Sequence, residues 1–385
     1  FTCNGSRDCN HSTTHAVCLV LRRHFNPLLF NSKTMDRRQF ITKTTGVALS
    51  LPLLTQAEDQ RRNKKLGLSI ASYRRGSRFF SNDYPAWENA LDVLNHCKSL
   101  NAGCLQIGVR GWTQDFAGKV RERRENFDIR LEGQVSLPKK ESDIDRFDET
   151  VRMAKEAGAT VLRTVCLGGR RYETFKTLED WENFKTQSWE SLVRAEKVVS
   201  KHGVKLAFEN HKDWRLWDQL ELLMRMHSEW VGVCFDFGNN LSLLEDPHVQ
   251  AEVLAPFIMT THLKDMGAQM YEDGFLLSEV PLGEGMLDLA KICDICESAN
   301  PDIQFNLEMI TRDPLKIPFM RDDYWVPMPM LPARDLVSTL KRIKQHPPQK
   351  PLPTISDKSD EQCLAYEEAN VRQCFQYAKE QLGLS

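Results

Sequence analysis

The chain has 385 residues, of which 41% are hydrophobic and 27% are charged. This composition is typical of a soluble globular protein with one large domain or two ordinary ones. Segment 1–57 holds seven of the 51 basic residues and two of the 53 acidic ones, so the remainder has a formal charge of −7. A net acidic body lacks the positive field that binds a phosphate backbone, and nucleic acid is therefore not an expected partner.

Segment 35–57 has the features of an export signal. Two arginines follow Met35, an apolar run covers 46–54, and small residues lead up to Ala57. The run is far shorter than the roughly 20 residues that cross a bilayer, so we expect no stable membrane span. The stretch RRQFI resembles the twin-arginine signal and implies export to a bacterial periplasm. The alternative is an ordinary basic amphipathic N-terminus. We interpret 1–34 as upstream sequence or a disordered leader.

Short apolar runs alternate with helical patterns from residue 66 onward. Eight such runs are present, at 66–71, 103–109, 129–135, 160–167, 204–210, 231–237, 257–263 and 303–309. Between them apolar residues recur at helical spacing, as in 86–100. Strands that alternate with helices indicate parallel βαβ units whose sheet is covered by helices. The sequence therefore predicts an α/β fold, a (β/α)8 TIM barrel over 64–345. A doubly wound sheet is the alternative.

The chain continues beyond the predicted barrel. Segment 346–356 begins with HPPQKPLP, and its prolines predict an extended linker. Segment 357–385 has apolar residues on one helical face, among them Leu364, Val371 and Ala378. We predict an extra C-terminal helix there, which either packs back on the barrel or binds a partner.

Polar residues end four successive predicted strands. They are Glu209, Asp236, His262 and Glu308. The C-terminal ends of barrel strands converge on the active site, so these side chains are expected to meet. Three carboxylates and an imidazole buried together would repel one another unless a cation joined them. An oxygen-rich set with one nitrogen suits Mn²⁺ first, with Mg²⁺, Co²⁺ or Zn²⁺ as alternatives.

The motifs ENH, CFDFGN, HLKD, PLGEGMLDL and NLE follow one another in the chain. In this order they resemble the xylose isomerase-like TIM-barrel superfamily of sugar phosphate isomerases and epimerases, over roughly 64–345. The resemblance implies a metal held by Glu209, Asp236, His262 and Glu308. The second histidine of that family has no counterpart, because Asn239 and Asn240 stand near its place.

The resemblance implies a metal-dependent isomerase or epimerase that acts on a small carbohydrate or sugar derivative. A proton would move next to a carbonyl through an enediolate, with Glu209 and Glu308 as the catalytic acid and base. The alternatives for the same site are a lyase, dehydratase or hydrolase on a keto-sugar or cyclitol, and a non-catalytic carbohydrate-binding descendant. The protein could also form a homo-oligomer.

Five further residues are candidates for substrate binding: Glu132, His211, Lys264, Arg312 and Trp325. Lys264 either binds an oxygen or anionic group of the substrate or pairs with Asp265 or Glu284. The long segment 311–332 is rich in aromatic residues, Met and Pro. It is either a lid over the site or packs against the last helix. The glycines of 283–285 predict a tight turn rather than a phosphate-binding loop.

Overall fold

Parallel strands close into a barrel of eight, which confirms the predicted (β/α)8 fold. The strands are β1 (Gly67–Ser69), β2 (Cys104–Gly108), β3 (Arg130–Gln134), β4 (Val161–Thr164), β5 (Lys205–Glu209), β6 (Val231–Asp236), β7 (Ile258–Leu263), β8 (Asp265–Tyr271), β9 (Gly274–Val280), β10 (Phe305–Leu307) and β11 (Leu315–Ile317). The ring runs β1-β10-β7-β6-β5-β4-β3-β2. Each chain neighbour is therefore a sheet neighbour from β1 to β7, and β10 closes the ring.

The computed structural model describes residues 62, 64–76, 78–79, 81 and 83–385. The predicted leader and export signal lie outside these residues and stay predictions. None of the helices in the described part of the chain combines the length and the apolar character that a membrane span requires.

Helices surround the barrel. They are α1 (Ala90–Ser99), α2 (Gln114–Asn126), α3 (Ile144–Glu156), α4 (Arg171–Thr174), α5 (Leu178–His202), α6 (Leu216–Met226), α7 (Pro247–Leu254), α8 (Leu289–Ala299), α9 (Asp322–Trp325), α10 (Ala333–Gln345) and α11 (Asp360–Gln381). Local side chains set where they begin: the Thr177 hydroxyl accepts a hydrogen bond from the backbone N–H of Asp180 at the start of α5. Ser359 and Gln362 form a capping box at the start of α11.

An antiparallel sheet of β8, β9 and β11 stands beside the barrel, and the sequence analysis does not predict it. β8 and β9 form a hairpin in which Tyr271 pairs with Gly274 across the turn Glu272-Asp273. Gly274 has φ +159°, and an added Cβ would collide with the carbonyl oxygen of Ile317. The glycine therefore lets β11 approach the hairpin.

Helix α11 packs against the loop that follows β1. Its Leu364 and Val371 are buried, and its Glu367 is 1% exposed. The Glu367 carboxylate accepts hydrogen bonds from the backbone N–H groups of Arg75, at 2.8 and 3.1 Å, and Gly76, at 3.1 Å. The C-terminal helix thus holds a loop on the face of the barrel where the strands end.

We expect Glu367→Ala to lower the free energy of unfolding by about 2 kcal/mol, because it leaves two backbone N–H groups without their acceptor. Urea denaturation of the full chain measures this change. Lys379→Ala on the exposed face of the same helix is the control and should change stability by less than about 0.5 kcal/mol. Equal midpoints for the two variants would show that the buried carboxylate does not hold the loop.

Candidate metal centre

Four side chains meet at the C-terminal ends of neighbouring barrel strands. Glu209 and Asp236 are the last residues of β5 and β6, His262 lies on β7, and Glu308 directly follows β10. Their candidate ligand atoms all lie within 4.8 Å of one another. The Nδ1 atom of His262 is 3.4 Å from Glu209 Oε2, 3.7 Å from Asp236 Oδ2 and 3.4 Å from Glu308 Oε1. Each of the four residues is at most 4% exposed.

Gln106 determines which nitrogen of His262 faces these carboxylates. The side-chain nitrogen of Gln106 donates to Glu132 Oε2 at 3.0 Å, so its oxygen is the acceptor for His262 Nε2 at 2.7 Å. Burial favours a lowered pKa for His262, but Cys234, Glu308 and Glu209 outweigh it and raise that pKa well above its usual range, so without a metal Nδ1 carries a proton. Nδ1 has no hydrogen-bond partner among the described residues, and a bound metal would displace its proton and free its lone pair. A divalent cation among the carboxylates would bind that lone pair, so the residues present fit a metal.

The surroundings keep the three carboxylates ionised. Burial favours a raised pKa for Glu209, but Arg163 and His262 outweigh it and hold that pKa well below its usual range. For Asp236 burial is likewise outweighed, mainly by Lys264, and its pKa is lowered. His262 and Lys264 together lower the pKa of Glu308 against the effect of burial. Three negative charges at this depth require positive charge between them.

The Glu132 carboxylate lies inside the barrel rather than among the four metal-ligand candidates. Its Oε2 accepts hydrogen bonds from Gln106, from Thr260 at 2.8 Å and from Asn306 at 2.9 Å. Burial raises the pKa of Glu132, and the hydrogen bonds from these neutral donors offset this effect only in part. Through Gln106 it is connected to His262, and its predicted contact with substrate stays a prediction.

Lys264 lies at the centre of the site. It is fully buried, and its Nζ is 2.6 Å from Glu308 Oε2 and 2.8 Å from Asp236 Oδ2. Asp265 and Glu284, its alternative partners in the sequence analysis, have other contacts. Asp265 accepts backbone hydrogen bonds, and Glu284 pairs with Lys350.

Each of the remaining substrate-binding candidates has a contact outside the set of four ligands. His211 Nδ1 lies 3.0 Å from the carbonyl oxygen of Leu167, and burial lowers the pKa of His211 to about 4. Arg312 pairs with Glu279 on β9, at 3.0 Å between Nε and Oε2. Trp325 lies on α9, and its indole N–H donates to the carbonyl oxygen of Phe319 at 2.8 Å.

Segment 311–332 is held against loops on the catalytic face. The hydroxyl of Tyr324 donates to the carbonyl oxygen of Ser242, beyond β6, at 2.8 Å. Arg171, beyond β4, donates to the carbonyl oxygen of Pro327 at 2.7 and 3.1 Å. At its start the segment also contacts the last helix, where the side-chain nitrogen of Asn370 donates to the Thr311 hydroxyl at 2.9 Å. The segment therefore contacts both the catalytic-face loops and the last helix, and its role as a lid stays a prediction.

Four further polar residues of the site are not predicted from the sequence: Gln106, Arg163, Lys212 and Glu279. Arg163 lies in the apolar run TVLRTVCL and Gln106 in GCLQIGV, so a polar residue inside a predicted buried strand is the signal for both. Arg163 Nε donates to Glu209 Oε2 at 2.6 Å. Lys212 directly follows the motif ENH. Glu279 gives no such signal, because its strand is not predicted.

We expect Asp236→Asn to abolish most metal binding while the fold is kept. Oδ1 of Asp236 accepts from the backbone N–H groups of Gly238 at 2.9 Å and Asn239 at 2.7 Å, and an asparagine keeps this oxygen. Only the oxygen that faces His262 is replaced. Elemental analysis gives the bound metal, and the wild type should gain thermal stability with added Mn²⁺ by mass action.

The matched control is Asp265→Asn, which changes a buried carboxylate that binds backbone N–H groups outside the four-residue set. It should lower stability and keep the response to Mn²⁺. A normal metal content and thermal shift in Asp236→Asn would contradict the four-residue site.

Comparison with known proteins gives a family and a set of structural relatives. A family model described as xylose isomerase-like TIM barrel matches residues 132–337. A curated 3-oxo-isoapionate decarboxylase of Pectobacterium atrosepticum is 26% identical over 205 residues, which cover 51% of this chain and 68% of that protein.

Solved structures are similar in fold. A D-psicose 3-epimerase has a TM-score of 0.54 at 10% identity, covering 83% of this chain and 99% of that one. A xylose isomerase-like TIM barrel protein from Mycobacterium smegmatis, in complex with magnesium, has a TM-score of 0.50 at 13% identity, covering 74% and 98%. These identities show likeness of fold alone. The family model spans more than half of the sequence, and the chain therefore belongs to the xylose isomerase-like TIM-barrel family.

Proposed function

We propose that the protein is a metal-dependent enzyme that isomerises or epimerises a small carbohydrate or sugar derivative by moving a proton beside a carbonyl group. The observation that carries the proposal is the unpaired Nδ1 of His262 among three ionised carboxylates at the C-terminal ends of barrel strands. In TIM-barrel enzymes this end holds the active site. Membership of a family of sugar-modifying enzymes supports the same reaction class.

A divalent metal held by Glu209, Asp236, His262 and Glu308 would polarise a substrate carbonyl and acidify the neighbouring C–H bond. Mn²⁺ is our first expectation, with Mg²⁺, Co²⁺ and Zn²⁺ as alternatives. Asp236 and His262 serve in this proposal as metal ligands that also fix the position of the metal.

The two glutamates have different freedom to move a proton. Both oxygens of Glu209 have donors, with Arg163 at Oε2 and the Asn239 side chain at Oε1, 2.8 Å away. Glu308 is held only at Oε2, by Lys264 at 2.6 Å. We therefore assign proton removal to Glu308, whose Oε1 has no hydrogen bond within the described residues. Glu209 is the second catalytic carboxylate, on the other side of the substrate.

His211 is suited to a substrate hydroxyl. Its Nδ1 donates to the carbonyl oxygen of Leu167, and its pKa of about 4, lowered chiefly by burial, keeps the ring neutral at pH 7. The free Nε2 is then an acceptor for an O–H donor. We propose that it binds a hydroxyl group of the sugar.

A decarboxylating lyase is the second candidate, because the curated relative is named 3-oxo-isoapionate decarboxylase. Loss of carbon dioxide beside a carbonyl leaves the C–C electron pair on the substrate as an enolate, and a proton then returns to that carbon. The groups that would stabilise an enediolate would stabilise this enolate too.

The experiment is metal analysis of the purified protein, followed by a panel of keto-sugars and sugar acids in deuterated water. Isomerisation with deuterium at the carbon beside the carbonyl supports the first candidate. Carbon dioxide release supports the second. A metal-loaded protein that binds these compounds without changing any of them would contradict both and favour a binding descendant.

We expect Glu308→Gln to keep some metal, because an amide oxygen remains, and to lower turnover by at least about 100-fold, because the basic carboxylate is lost. Steady-state kinetics and deuterium exchange measure both steps. The control is Glu245→Gln, a buried carboxylate that accepts from the backbone N–H of Leu216 and lies outside the four-residue set. Full turnover in Glu308→Gln would remove this residue from the mechanism.

We also propose export by the twin-arginine route to a bacterial periplasm. The support is the pattern of segment 35–57 in the sequence. We expect a mature N-terminus near 57–59, and N-terminal sequencing of protein from the native host measures it. A cytoplasmic protein that keeps Met35 would contradict this.

A further inference from the structure

The cations around the metal centre are paired with carboxylates, with one exception. The pairs are Arg163 with Glu209, Lys264 with Asp236 and Glu308, and Arg312 with Glu279. Lys212 is the exception. Across the described residues no carboxylate lies within salt-bridge distance of it, and its Nζ donates to the side-chain oxygen of Asn239.

Lys212 is held in this position by the fold. It is 4% exposed and has φ +65°, a backbone conformation that is uncommon for residues other than glycine. The flanking residues fix the conformation, because the backbone N–H groups of His211 and Trp214 both donate to Asp213 Oδ1, at 3.0 and 2.8 Å. A buried ammonium has three donors and is unfavourable without an anionic partner. A side chain held in a strained backbone conformation is typical of functional sites.

A single amide joins Lys212 to the metal centre. The side-chain nitrogen of Asn239 donates to Glu209 Oε1 at 2.8 Å, while its oxygen accepts from Lys212. The Lys212 ammonium is therefore separated from a ligand carboxylate by one side chain. Burial lowers the pKa of Lys212 to about 8, and the charges of Lys264 and Arg312 add to this effect.

A bound metal would leave the site with an excess of positive charge. Four carboxylates face four cations: Glu209, Asp236, Glu279 and Glu308 against Arg163, Lys212, Lys264 and Arg312. A divalent metal adds two positive charges in a buried volume. An anionic ligand would then offset part of this excess, and the Lys212 ammonium would gain a partner.

We propose that the substrate carries a carboxylate next to its reacting carbonyl group and that Lys212 binds this carboxylate. The inference rests on the proposed function, which places the reacting carbonyl at the four metal ligands. The substrate class is a sugar acid or keto-sugar acid.

A phosphate is less suited to this site. Backbone N–H groups of a glycine-rich turn commonly bind phosphate, and the PLGEG motif forms such a turn. Its Gly283 and Gly285 N–H groups both donate to Asp265 Oδ2 at 3.0 Å. They are therefore occupied by a protein carboxylate. The position of Lys212 beside a metal ligand also places the anion near the reacting carbon, whereas a terminal phosphate would lie several bonds away.

The test compares acids with neutral sugars of the same carbon number on the Mn²⁺-loaded full chain by calorimetry. The pairs are D-gluconate with D-glucitol, D-glucuronate with D-glucose, and 2-keto-D-gluconate with D-fructose. We expect 2-keto-D-gluconate, the acid of this panel whose carboxylate is next to a keto group, to bind 10-fold or more tightly than D-fructose. If it lacks this advantage, or if only D-gluconate or D-glucuronate shows one, the proposal is wrong, and this outcome depends on no variant.

Lys212→Gln should remove the preference for the acid, lowering its affinity at least 10-fold, while bound Mn²⁺ and the affinity for the neutral sugar are kept. The matched control is Lys316→Gln, an exposed lysine on β11, which should keep the preference. If Lys212→Gln fails to fold, Lys212→Arg keeps a cation there and should keep a preference for the acid. An unchanged preference in Lys212→Gln would mean that the metal alone binds the carboxylate.

A covalent role for Lys212 is separated by chemical reduction. Sodium cyanoborohydride with each keto compound would convert an imine to a stable amine on Lys212, visible by mass spectrometry. Such an adduct would overturn a purely ionic role.

Binding and turnover also separate the two proposals. Lys212-dependent binding of an acid without any exchange or turnover would leave this inference standing and remove the proposed reaction. Turnover and exchange of neutral sugars, with no preference for acids, would support the proposed reaction and contradict the proposed carboxylate-binding role of Lys212.

Discussion

Three ionised carboxylates buried around one imidazole are the constraint on which the rest of the site depends. Removing each charge from water costs several kcal/mol, so the arrangement needs positive partners and a strict geometry. Lys264 supplies one partner, at 2.6 Å from Glu308 and 2.8 Å from Asp236. Arg163 supplies another for Glu209. The Nδ1 of His262, 3.4 Å from both Glu209 and Glu308, offers a further cation a nitrogen ligand beside these carboxylates.

The barrel satisfies this geometry through the stagger of its parallel strands. Asp236 on β6 pairs with His262 on β7. His262 in turn pairs with Asn306 on β10, which lies two positions before Glu308. Glu209 on β5 pairs with Cys234, two positions before Asp236. Closing a barrel requires such a stagger between strands, and it brings side chains at different register positions to one site. One layer further into the barrel, Glu132 is held by neutral donors, and through Gln106 it helps set the orientation of the imidazole.

The sequence predicts those parts of the site that depend on strand ends. A carboxylate or histidine at the end of an apolar run is visible without a structure, and Glu209, Asp236 and His262 are examples. Gln106 and Arg163 lie within strands, where the sequence does not show which polar side chains share a layer. The β8–β9 hairpin lies between two barrel strands, so a pattern of alternating strands and helices gives it no place. The contacts of Gln106 and Arg163 depend on closure of the barrel, which brings together residues that are far apart in the chain.

The attachment of α11 to the loop after β1 has a consequence for the order of folding during synthesis. Glu367 binds the backbone of Arg75, 292 positions earlier in the chain. Chains are made from the N-terminus, so this loop must wait for almost the whole polypeptide to leave the ribosome. β1 likewise cannot complete its pairing before β10 is made. Neighbouring strands β5, β6 and β7, which carry three of the four candidate ligands, can associate much earlier. A ribosome-bound nascent chain would therefore assemble most of the charged centre before the β1–β10 pair and the loop after β1 are in place.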